Sequence, residues 1–382
     1  MKGSKELPHS PKLKVLLVDD QPGRLRGLET LFADHADFVV RDPFSVEAED
    51  LLDIDLVSVD EFLGDDWLAA TDVGDQSSPA SIRNRDGLAV AASFRSQTRT
   101  AITGNPERTA VTLHTGALER IAEGLPKERR EALTAAQHDL EWVFSWEAED
   151  FGHRLIALAR AAQGAHQHEA QNSQDFGAGW LLLPDSGWSD TARAQIEDCR
   201  PPARALAQNT NGRSLVRWLA HRILPYPTFL LDQSHAANLL GITEESFARL
   251  AATSHAGHYE ISYTGPLSDF LGRRWWRAGL QQMLVDVDRY QWDSSADRAE
   301  ALANAAGVDL APLTHDQPVV AYDSSGRVLS IDADADKSVR LQADGWPVFA
   351  DDPWALIDLA SGDPDLRSLV AQSERHRLEP DA

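Results

Sequence analysis

Lys14-Val15-Leu16-Leu17-Val18-Asp19-Asp20 (KVLLVDD) is the stretch whose reading decides the fold. An unbroken Val- and Leu-rich run has the pattern of a strand buried on both faces, and two adjacent carboxylates close it. Reading outward, Arg24–Phe32 carries Leu25, Leu28, Leu31 and Phe32 at helical spacing. Phe38–Val40 reads as a second strand, Val46–Leu52 as a short helix and Asp55–Val59 (DLVSV) as a third strand. A polar stretch over Gly64–Arg85 precedes a helix signal at Gly87–Phe94. Then follow a strand at Thr109–Leu113, an interrupted helix over Glu119–His138, a strand at Glu141–Phe144 and a helix at Phe151–Ala162. Strands alternating with helices predict an α/β unit, a parallel sheet covered on both faces. The functional crevice of such a sheet lies at the carboxyl ends of its strands.

That rule puts Asp19 and Asp20 at the end of the first strand and Asp60 at the end of the third. Three carboxylates converging on one edge repel one another unless a cation intervenes, and hard oxygen donors suit Mg²⁺. A carboxylate beside such an ion is able to act as a nucleophile toward a phosphoryl group. Helix capping ahead of Pro22 explains one aspartate at a strand end but not the three together. A Rossmann glycine fingerprint, a P-loop and a Gly-x-Ser-x-Gly elbow are all missing from the sequence. Gln21 breaks the Asp-x-Asp of haloacid-dehalogenase-like phosphatases.

The ordered set resembles the receiver domains of two-component response regulators. It consists of Val15-Leu16-Leu17-Val18-Asp19-Asp20, Leu56-Val57-Ser58-Val59-Asp60, Arg85-Asp86-Gly87-Leu88 and Thr115-Gly116. The resemblance implies a flavodoxin-like, doubly wound five-stranded parallel sheet over residues 13–165. It also implies Mg²⁺ held by Asp19, Asp20 and Asp60, with Asp60 as phosphoacceptor, and a histidine kinase or another phosphodonor as partner. Thr115 would bond the phosphoryl group, and Trp142 stands in place of the mobile aromatic of the fifth strand. Two departures stand out. Ser145, followed by Trp146, occupies the position of the family's lysine, so a point cation is missing. An acidic insertion (Glu61, Asp65, Asp66, Asp72, Asp75) follows Asp60.

The chain has 382 residues and a net charge of −24, a field that argues against nucleic acid and anionic membranes as partners. With no apolar run long enough to span a bilayer and a single cysteine, Cys199, a cytoplasmic protein is expected. Residues 1–12 read as a flexible tail, 166–175 as a linker and 176–382 as a mainly helical (α+β) output domain that binds another protein. No catalytic set is identifiable there, so no enzyme is expected.

Within that half, Ala236–Leu250 has the outline of a helix-turn-helix, which would make a DNA-binding response regulator. Against this, Glu244 and Glu245 stand where phosphate contacts belong. Arg273-Arg274-Trp275-Trp276-Arg277 offers stacking aromatics among cations, with tryptophans packed in a helical core as the plainer reading. His255, His258 and Glu260 match no zinc signature. Pro318–Ile331 reads as a hairpin turning at Ser-Ser-Gly. The functional alternatives are therefore a phosphorylated receiver controlling a protein-interaction domain, a transcription factor, and a receiver-shaped scaffold without phosphotransfer.

Overall fold

The computed structural model describes residues 12–43, 45–63, 86–100, 109–170, 176–202, 213–287 and 294–378. The tail, except for Lys12, and the insertion beyond Leu63 lie outside the described residues. Five strands, β1 (Leu13–Val18), β2 (Ala36–Arg41), β3 (Leu56–Asp60), β4 (Ala110–Thr115) and β5 (Trp142–Ser145), form one parallel sheet in the order β2-β1-β3-β4-β5. This is an α/β arrangement, as the alternation of signals predicts.

Strand alternation sorts the apolar residues onto two faces. Leu16, Val18, Val57, Val59, Val111, Leu113 and Val143 share a core with Val90, Ala91 and Phe94 of α2 (Gly87–Thr100). α1 is the short helix Gly27–Leu31, and α3 is Leu118–Ile121. Ala135 of α4 (Arg130–Gln137) joins the same core. On the other face Val15, Leu17, Leu56, Trp142 and Phe144 pack with Leu155, Leu158 and Ala162 of α5 (Phe151–Ala170). α5 runs to Ala170, so the first half of the segment read as a linker is helical.

That second core does not stop at the sheet. It continues without a break into Trp180, Trp188, Trp218, Phe229, Phe270 and Trp276. Among the described residues that remain, helices combine with two small sheets, β6 (Leu230–Leu231) against β7 (Trp275–Trp276) and a four-stranded β10-β11-β8-β9 sheet. The latter comprises β8 (Pro318–Tyr322), β9 (Val328–Asp334), β10 (Ser338–Arg340) and β11 (Trp354–Leu356). β8 and β9 form the expected hairpin, with Gly326 in the left-handed region (φ 82°) at its turn.

Three local expectations need correction. The first helix is a 3₁₀ turn at Pro22–Arg24 followed, after Leu25 and Arg26, by the short α1. The second is only a 3₁₀ turn, Ala48–Leu51, closed by a capping box between Glu47 and Asp50. Trp275 and Trp276 are extended rather than helical; their bulky rings suit pairing with Leu230–Leu231, and the helix starts at Arg277.

Candidate metal centre

The ends of β1 and β3 lie side by side, with Val18 opposite Val59 in register. The next residues therefore bring Asp19, Asp20 and Asp60 to one point at the carboxyl edge. One carboxylate oxygen from each lies within 4.8 Å of the others, the one such group among the described residues. Three hard oxygens at that spacing fit a divalent cation that keeps part of its water shell.

Neighbours give the carboxylates different characters. Asp19 is buried and accepts from Gln21 N at 2.6 Å. Beneath it lies His114 of β4, paired in register with Asp60, fully buried and 3.4 Å from Asp19 Oδ2 through Nε2. His114 Nδ1 is 3.0 Å from the Ser58 hydroxyl. Burial raises the Asp19 pKa, but the hydrogen bonds from His114 and Gln21 outweigh it and hold the carboxyl below its usual value. Asp60 goes the other way. Burial, reinforced by the charges of Asp19 and Asp20, pushes it up to about 6 against the opposing influence of His114. Without a cation the pocket thus strains to hold its third negative charge.

Thr115 ends β4 at the same edge and is buried. Its hydroxyl accepts from Ala117 N at 3.0 Å and donates to Glu61 Oε2 at 3.5 Å. Glu61 also takes Arg120 Nη2 at 3.3 Å, and Arg120 lies over the exposed ring of Phe62. Ser145 N donates to Glu131 Oε1, and the next residue, Trp146, sits against Gly116. Trp146 carries the Arg24 guanidinium 5.8 Å above its ring, and the Arg24 charge also lowers the Asp19 pKa. Sequence reading passed over His114 and Arg24. The signal for His114 was present in the alternation from Ala110, which puts it on the same face as Ser58 and Asp60.

Trp142 is not at this edge. It is 1% exposed, packs edge-on against Phe270 at 4.9 Å, and donates its indole N–H to Glu131 Oε2. Arg154 pairs with Glu131 at 2.5 Å and lies over the rings of Trp142, Phe144 and Phe270. The face built by α4, β5 and α5 is therefore covered by the C-terminal half of the same chain. Farther along this junction, the fully buried Glu141 accepts from Val111 N and from Arg217 Nε at 2.8 Å, while His221 Nε2 meets Glu141 O at 2.9 Å.

The other motifs of the C-terminal half are held by local contacts. Trp275 and Trp276 are buried, Arg274 donates to backbone carbonyls, and Arg277 pairs with Asp351. The two helices Gln233–Leu240 and Glu244–Ala251 meet at left-handed Gly241. On the second helix Phe247 and Leu250 are core residues, and Arg249 donates to Ser246 Oγ and Asp309 O. Glu260 accepts from the Ser186 hydroxyl. Cys199 is buried, its thiol pushed up to about 11 by desolvation. Among the described residues, no helix is long and apolar enough to cross a membrane. A scan of protein-family models gives no match to this chain, and a search of curated proteins gives none.

Proposed function

We propose that this chain is a signal-transduction protein with a flavodoxin-like, divergent receiver domain. In this reading Asp60 is the phosphoacceptor and Asp19, Asp20 and Asp60 hold Mg²⁺. The observation that carries it is the meeting of three carboxylates from two neighbouring strand ends at the carboxyl edge of a β2-β1-β3-β4-β5 parallel sheet. A bound cation would neutralise charge between Asp60 and the incoming group. Asp60 Oδ would form the new bond to phosphorus as the bond to the donor's leaving group breaks. Its raised pKa marks an ionised carboxylate short of stabilisation, which suits a nucleophile that a cation switches on. His114 would hold Asp19 in its ligating orientation.

Output, on this reading, passes within the molecule. The α4–β5–α5 face meets the C-terminal half rather than bulk water, so a change at Thr115 reaches a packed junction one strand away. The C-terminal half then presents the surface for a further protein partner.

The test is incubation of the full chain with acetyl phosphate and Mg²⁺, followed by intact mass. A single phosphoryl adduct is expected, absent from Asp60→Asn and from samples stripped with a chelator. Absence of the adduct, while an ordinary receiver is labelled alongside, would overturn phosphotransfer. Ser145 at the lysine position is the specific feature favouring that second outcome, a receiver-shaped scaffold whose constant contact with the C-terminal half is its role.

A further inference from the structure

Between the sheet and the C-terminal half lies a cavity of about 410 Å³, far from the carboxylate edge in chemistry and built from different residues. Arg129 enters it from the 3₁₀ turn Lys127–Arg129 and is 7% exposed. Its guanidinium lies beside an edge-to-face pair of rings, 5.8 Å from the centroid of Tyr226 and 5.0 Å from that of Trp346, whose centroids are 5.0 Å apart. Nε and Nη1 have no hydrogen-bond acceptor, and no carboxylate among the described residues pairs with this cation. The other two buried arginines of the cavity are differently placed. Arg154 is neutralised by Glu131, and Arg274 donates to the carbonyls of Leu224 and Leu271.

A buried guanidinium with two idle donors is costly unless an anion completes it. The two neighbouring rings compensate only part of that cost. The C-terminal half supplies a second fixed group. His235 Nδ1 lies 2.7 Å from Asp232 Oδ1, and its Nε2 lies 2.8 Å from the Tyr322 hydroxyl. Whichever of the two donates, the Tyr322 oxygen keeps at least one lone pair for an outside donor, which a ligand hydroxyl provides. The volume lies within the range of small-molecule sites.

We propose that this cavity binds a small organic anion, its carboxylate or phosphate group on Arg129 and a neutral hydroxyl on Tyr322. Arg129 belongs to the sheet half, whereas Tyr322, His235 and Trp346 belong to the other. Such a ligand therefore bridges the two halves and stabilises the folded chain. The inference goes beyond phosphotransfer at Asp60 and does not depend on it.

Thermal unfolding and tryptophan fluorescence of the full chain, without divalent metal, test the idea with citrate, 3-phosphoglycerate and inorganic phosphate at matched ionic strength. A saturable upward shift is expected for at least one hydroxylated anion, citrate telling for a carboxylate and 3-phosphoglycerate alone for a phosphate ester. Arg129→Gln should weaken it by about tenfold or more, as expected for a charge-assisted pair. Tyr322→Phe, which keeps the ring, should weaken the hydroxylated probes several-fold and leave inorganic phosphate unchanged. Asp60→Asn should bind as the wild type does, which separates this result from the phosphorylation assay. No saturable shift with any probe, or an unchanged shift in both cavity variants, overturns the proposal.

Discussion

The carboxylate edge and the junction beneath β5 solve opposite problems of charge. At the edge, three carboxylates crowd together, and the neighbouring His114 and Arg24 side chains are already engaged with Asp19 or Trp146. At the junction, charges are buried more deeply but most are paired, as in Glu131–Arg154 and Glu141–Arg217. The difference separates stability from function. Unpaired charge at a rim costs folding energy and favours an exchangeable ion, whereas paired charge inside a core fixes which surfaces meet.

The largest break in that comparison is Trp142→Ala. The indole is fully buried, contacts Phe270, carries Arg154 over its face and donates to Glu131. Truncation should cost about 3–5 kcal/mol. Urea unfolding should report the loss, with Mg²⁺ affinity at the edge unchanged. If the variant is destabilised by less than about 1 kcal/mol, the junction is not the structural half of the pair.

Acid separates the two regions by sign. His221, against Glu141 O, has its pKa pushed from 6.5 to about 4 by burial. Between those values the unfolded chain binds more protons than the folded one, so stability rises with pH and is lost on acidification. The folded chain holds the Asp60 proton up to about 6, whereas its unfolded value is 3.8. Over that window the folded chain binds more protons, so this contribution falls as pH rises. His221→Gln should therefore spare about 2–3 kcal/mol of the loss between pH 6.5 and 4. Asp60→Asn should gain about 1–2 kcal/mol at pH 7.5 and nothing at pH 4, the smaller figure reflecting partial solvent screening. Equal slopes in both variants would remove the distinction.

The edge was legible because its residues are local. KVLLV and DLVSV read as fully buried strands, and functional side chains at strand ends need only the strand's last position. The junction was not legible, since nothing near Trp142 says that Phe270 will lie on it, and Arg129 looks like any helix-surface arginine in ERREAL. His114 fell between these cases. It stood one residue past the apolar run taken as β4, where strand alternation already gave its face. Trp275–Trp276 misled because two aromatics among arginines suit a helix or a strand, and only pairing with Leu230–Leu231 decides. The paired helices Gln233–Leu240 and Glu244–Ala251 were readable in outline, since Gly241 stops the first of them.

Two glycines give the smallest and most local version of the same contrast. Gly345 turns the chain at φ 74° against α4, where an added Cβ would stand 2.9 Å from Leu133 Cδ2. Ala there meets both left-handed strain and a packed neighbour, and Gly345→Ala should cost about 1–2 kcal/mol. At the edge, a Cβ on Gly116 would stand 2.6 Å from Trp146 Nε1, a contact with a side chain that is only half-buried. The indole is free to swing toward solvent, so Gly116→Ala should cost no more than about 1 kcal/mol. Its effect should appear instead as a shifted Trp146 emission and a lowered affinity for Mg²⁺, because Arg24 leaves its stacking position near Asp19. A Gly116→Ala protein with wild-type emission and a loss matching that of Gly345→Ala would mean that the edge is packed as tightly as the junction.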